Sequence, residues 1–194
     1  VLPADVLLLG EQHDDPELES LARYWVDRSE VGAKVEDRWD RQWLMGWRDI
    51  TNASNERTYV PSVLPLSGVG HVFPIALPDA PMRAVQLHGL WSSNIYDYVA
   101  RQKLSGTHMT YNIVQQLATP DPATFECPTP WCQSKSLGNW LEPYVLELSY
   151  TSYRLKPYAV DLGDAGPPFR WDFARRGQLR ADLDAGFLHI YGLD

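Results

Sequence analysis

Two short stretches hold most of the side chains able to read a polar partner. The first, Trp47–Thr58, reads WRDITNASNERT and packs two arginines, two asparagines, an Asp–Glu pair and several hydroxyls into twelve residues. A guanidinium presents a planar fork that fits guanine O6/N7 or a phosphate, and a carboxamide presents the donor–acceptor pair that fits adenine N6/N7. Arg48, Asn52, Asn55 and Arg57 are therefore candidate DNA-binding residues, with the hydroxyls suited to phosphates. Asp49 and Glu56 do not suit a polyanion. They read as partners that hold Arg48 and Arg57, or as acceptors from cytosine N4. The plainer alternative is a polar hairpin loop whose Asn and Ser stabilise turns, with Arg48 a buried arginine paired to Asp49 or Glu56. The second stretch, ARQKLSGTHMTYN at 100–112, adds Arg101, Lys103, Thr107 and His108. The first two lie at an expected helix C-terminus, where the dipole favours cations whatever their function. SGTH is a glycine loop whose amides, with Thr107 and His108, could grip a phosphate.

No complete active site is legible. GPPF at 166–169 resembles the four-residue loop of amino-methyltransferases, but Gly166 lacks the side chain such a loop needs at its first position. VLLLGEQ near the N-terminus has one glycine where an S-adenosylmethionine loop needs at least two. EQHDD at 11–15 holds metal-ligand types, yet neighbours in an acidic stretch rarely converge on one ion, so it reads as a solvated helix start. The two cysteines, in CPTPWC, lack the other two ligands of a zinc site and read as reduced thiols, with a local disulfide as the alternative.

The formal net charge of -8 argues against nucleic acid when taken as a total. Its distribution is uneven: residues 1–40 sum to -7, residues 41–120 to +2 and residues 121–194 to -3. The only positive third carries both polar stretches. No apolar run reaches the roughly 18–20 residues of a membrane span, and the N-terminal VLLLG lacks the basic flank of a signal peptide.

The elements that must position these residues read as an α+β fold, a small mostly antiparallel sheet with amphipathic helices around it. Residues 14–37 have helical spacing at Leu18, Leu21, Ala22, Trp25 and Val26, with Pro16 in the first turn and Gly32 interrupting or ending the helix. WLMGWRDI, TYVPSVLPL and GHVFPIAL are short β-rich runs separated by turn chemistry, and Pro61, Pro65, Pro74 and Pro78 place the outer ones at edges. One helix is expected over 82–104, capped near Gly106. Residues 120–136 read as irregular loop, 138–162 as a helix with Pro143 near its start, and 171–193 as a last amphipathic helix. The domains are then 1–40, a helical linking segment; 41–120, the recognition core; and 121–194, a loop and helices packed on it.

The order ARYWV (22–26), WDRQWLMGWRDITNASNERT (39–58), SSNIYDYVARQKLSGTHMTYNIVQQL (92–117) and PPFRWD followed by RADLDAGFLHIYGLD resembles the C-terminal half of large adenine-specific DNA methyltransferases. These are type IIG-like restriction–modification enzymes and related phage-defence systems such as DISARM. The resemblance covers nearly the whole chain from Ala22. It implies a target recognition region that binds double-stranded DNA and positions it for a methyltransferase domain of the same parent chain. That domain would transfer a methyl group from S-adenosylmethionine to adenine N6. The chain itself would need no cofactor and would hold no catalytic residue or metal. A cytoplasmic, nucleoid-associated protein is expected. Base readers are expected in the less regular 67–71, 79–83 and 119–136 segments, with the shared motifs serving as scaffold or phosphate contacts. A reading of another class, a subunit-docking module, would use the eight tryptophans and the acidic N-terminal segment as an interface.

Overall fold

A computed structural model describes residues 10–18 and 24–193. Its architecture is α+β, as the sequence implies. Strand β1 (Trp43–Trp47) is the middle of a three-stranded antiparallel sheet of order β2–β1–β3. Strand β2 (Pro61–Pro65) pairs along its whole length, from Trp43 opposite Pro65 to Trp47 opposite Pro61, and β3 (Ile75–Ala76) adds a short second edge. All five residues of β1 are buried, which is why WLMGW has no polar alternation. The prolines fall on edge strand β2 and just outside β3, where a missing N–H costs no ladder bond.

The expected helix over 14–37 is a correction. Residues Gly10–Asp14 form a 3-10 turn, and α1 runs only from Arg28 to Val35. Leu21 and Ala22 lie outside the described residues, while Trp25 and Val26 are exposed rather than on a buried face. Asp27 explains the late start. Its carboxylate accepts from the Ser29 N–H at 2.8 Å and from the Ser29 hydroxyl at 2.6 Å, an N-cap that fixes Asp27 in extended backbone. Gly32 neither interrupts nor ends α1, which continues through it.

The region 82–104 is two helices, α2 (Pro81–Ser92) and α3 (Asn94–Lys103). Ser93 separates them: its hydroxyl donates to the Leu90 carbonyl at 2.6 Å and accepts from the Tyr96 N–H, and its own backbone is extended. Helix α3 ends on Leu104. Gly106 is not a left-handed cap, since the positive-φ glycines among the described residues are Gly163 and Gly192. The 79–83 segment is mostly the first turn of α2 rather than a loop. After the short α4 (Tyr111–Val114), the expected loop at 120–136 contains a 3-10 turn at Pro122–Glu126 and a hairpin of β4 (Pro128–Thr129) with β5 (Cys132–Ser136). Cys127, just before β4, and Cys132, the first residue of β5, are free thiols.

Helix α5 (Leu137–Ser149) carries Pro143 in its interior, not near its start. The ring deprives the Asn139 carbonyl of its donor, but Asn139 and Pro143 are both exposed, where water can serve. A 3-10 turn at Tyr153–Leu155 and α6 (Lys156–Asp161) follow, then α7 (Phe173–Ile190). One core runs from Trp39 to Phe187, so segments 41–120 and 121–194 share it. Trp47 is its aromatic hub, packing edge-on to Trp91 and Tyr111 and stacking on Tyr59. Among the described residues no helix is long and apolar enough to cross a membrane.

Candidate nucleic-acid interface

The two polar stretches, with residues 59–99 between them in the sequence, are joined by backbone hydrogen bonds. Beyond β1 the chain stays paired for one more step, with Arg48 N–H on the Val60 carbonyl at 3.0 Å, then opens into the 49–58 loop. There the loop meets the turn after α3. Thr51 N–H donates to the Thr107 carbonyl at 2.9 Å, Met109 N–H donates to the Asp49 carbonyl at 2.8 Å, and Ile50 bridges to His108. The Trp47 indole N–H donates to the Met109 carbonyl at 2.7 Å, so the junction is also tied to the core.

Helix α3 holds the loop from the other side. The buried Asp97 carboxylate accepts from the N–H groups of Thr58 and Tyr59, each at 2.7 Å. Its second oxygen accepts from Arg101 at 2.9 Å, an i,i+4 ion pair along the helix. The Arg101 guanidinium continues into the loop and donates to the carbonyls of Ala53 at 2.7 Å and Glu56 at 3.1 Å. Within the loop the buried Thr51 hydroxyl donates to the Thr58 carbonyl at 2.7 Å, and the Asn52 side chain accepts from the N–H and hydroxyl of Ser54. Such Asx turns stabilise a fixed loop shape.

These bonds sort the eight candidate residues. Arg48, Lys103, Thr107 and His108 are exposed around the junction. Asn52 is exposed too, with its carbonyl oxygen engaged by Ser54, and Asn55 is half-buried beside the Thr51 hydroxyl. Arg101 is spent on the loop itself. Arg57 turns to a neighbouring pocket, where it lies near Asp184 of α7. Three expectations are corrected. Arg48 is not a buried arginine, because it lies one residue beyond the buried strand β1 and its side chain is exposed. Asp49 does not hold Arg48: it is buried and accepts from His108 Nδ1 at 2.6 Å. A carboxylate can only accept here, so Nδ1 carries the proton and Nε2 is the ring's remaining polar atom. The hydroxyls of Thr51 and Thr58 are likewise internal, not phosphate ligands.

Sequence reasoning passed over Asp97, although its i,i+4 spacing to Arg101 on an expected helix was a usable signal. It also passed over the pocket beside Arg57, built by β2, α2, α5 and α7, because no spacing rule connects residues so far apart.

Comparison of the chain with protein-family models, with curated proteins and with solved structures finds no match.

Proposed function

We propose that this chain is the DNA target recognition region of an adenine-N6 methyltransferase of a restriction–modification or phage-defence system. It binds duplex DNA and positions it for a methyltransferase domain, bound to S-adenosylmethionine, in the same parent polypeptide. The observation that carries the reading is the junction of the 49–58 loop with the 105–108 turn. It gathers Arg48, Lys103 and His108 on one rigid support, although the chain as a whole is acidic. Phosphate binding needs cations only where the duplex lies, and a support held at fixed shape lowers the ordering cost of binding. In this reading Arg101 and Asp97 position the loop, and the exposed cations meet the backbone.

The docking alternative draws support from Trp25 and Val26, which are 76% and 54% exposed just ahead of α1. It loses support from Trp39, Trp43, Trp47 and Trp91, which are core residues, although Trp131 is 40% exposed.

The test is the double variant Arg48→Ala with Lys103→Ala, titrated against duplex over a range of salt concentrations. Removing two backbone cations should weaken binding about 10-fold at low salt and lower the slope of log affinity on log salt by about 2. An unchanged affinity and slope would count against the assignment.

A further inference from the structure

The pocket beside Arg57 has a volume of about 320 Å³, at the lower end for small-ligand sites. Among the described residues, Arg57, Arg176 and Arg180 line it together with a single carboxylate, Asp184. That carboxylate is already engaged, since it accepts from both the backbone and the side-chain amide of Asn94. Glu147, the other acid near Arg176, is held by a two-pronged ion pair to Arg175 at 2.8 and 2.9 Å.

Arg176 is only 8% exposed. One of its terminal nitrogens donates to the Leu148 carbonyl at 2.9 Å, and the guanidinium lies 3.7 Å from the Trp171 ring centroid. Its Nε and Nη1 are buried and meet no acceptor among the described residues, and neither does the buried Tyr59 hydroxyl in the same wall. Burial and the neighbouring Arg180 pull Arg176 down to about 10, which still leaves it charged at neutral pH. A buried guanidinium with three of its five N–H donors unmet is costly, and nearby negative charge offsets that cost. The rest of the lining joins an apolar wall of Val63, Val145 and Leu183 to the smaller polar groups of Ser62, Ser92, Ser149 and His88.

We propose that this pocket binds a phosphate group carried on a nucleoside-sized body, with Arg180 and Arg57 gripping the oxyanion above the fixed charge of Arg176 and the apolar wall covering the body. Arginine forks match tetrahedral oxyanions in pairs, and three of them suit a dianion better than a single carboxylate. The site does not rest on the duplex reading, because Arg48, Lys103 and His108 are not part of it.

The experiment is a titration of the 194-residue chain with AMP, inorganic phosphate and adenosine, followed by calorimetry and by amide shifts of Ser62, Ser92 and Ser149. AMP is expected to saturate and adenosine to bind far more weakly. Arg180 is exposed, so Arg180→Gln should leave the circular dichroism unchanged while weakening AMP about 10-fold or more. Arg180→Lys should recover part of that loss. A duplex added to the AMP complex separates the two sources of the phosphate. Displacement of AMP means a nucleic-acid backbone phosphate uses the pocket, and simultaneous binding means a free nucleotide does; either keeps the site. The proposal is overturned if neither AMP nor phosphate saturates by about 10 mM. It is equally overturned if adenosine binds as well as AMP, or if Arg180→Gln changes nothing. Arg48→Ala with Lys103→Ala leaves AMP binding intact, so failure here and failure of the duplex reading are separable.

Discussion

Replacing Asp97 by alanine is expected to cost about 3–5 kcal/mol of unfolding free energy, with the loss concentrated in the 49–58 loop. The carboxylate accepts from two N–H groups whose residues, Thr58 and Tyr59, are 0% and 1% exposed, so water cannot replace it without opening the structure. Each buried donor left unmet costs about 1–3 kcal/mol. The freed Arg101 charge adds less, because its side chain is 30% exposed and partly rehydrates. Asp97→Asn separates the two contributions. It keeps an oxygen for the amides and loses the ion pair, so it should cost about 1–2 kcal/mol. Urea denaturation of both variants, with amide exchange at Thr58 and Tyr59, is the measurement. Equal costs for the two variants would mean the ion pair, not the buried amides, holds the loop.

Gly46→Ala should be of similar size, about 3 kcal/mol or more, and should act through the sheet. A Cβ at Gly46 would stand 2.1 Å from the Pro74 carbonyl oxygen and 2.7 Å from the Phe73 ring. That carbonyl accepts from Trp47 N–H at 3.1 Å, so relieving the clash moves β3 away and breaks the bond. Tyr111 resists the movement, since its hydroxyl accepts from Ile75 N–H at 2.8 Å and donates to the Ile75 carbonyl at 3.0 Å. The strain therefore passes to Trp47, which packs on Tyr111, Tyr59 and Trp91. Near-ultraviolet circular dichroism should lose tryptophan signal as stability falls. A variant within about 1 kcal/mol of the parent, with that signal unchanged, would show that β3 gives way freely.

Legibility followed the range of the forces involved. The WLMGW strand, its proline-bearing edge partner and the last amphipathic helix were readable because burial and backbone chemistry act locally. The division of 82–104 at Ser93 and the late start of α1 at Asp27 were missed. A single hydroxyl or carboxylate decided each, and periodicity averages such residues away. At the candidate interface, composition marked two stretches that the fold joins, but not the roles of the residues within them. Asp49 with His108, and Arg101 with the Ala53 and Glu56 carbonyls, depend on pairings across the fold. The pocket beside Arg57 was invisible for the same reason, since its arginines come from the loop and from α7.

The most direct measurement of the central claim is hydrogen–deuterium exchange of the chain with and without a mixed-sequence duplex of about 20 base pairs at low salt. Protection gathered on residues 48–58 and 103–108, and lost as salt is raised, is the predicted result. Protection confined to other surfaces, such as the segment around Trp25 and Val26, with those two stretches unaltered, would contradict it.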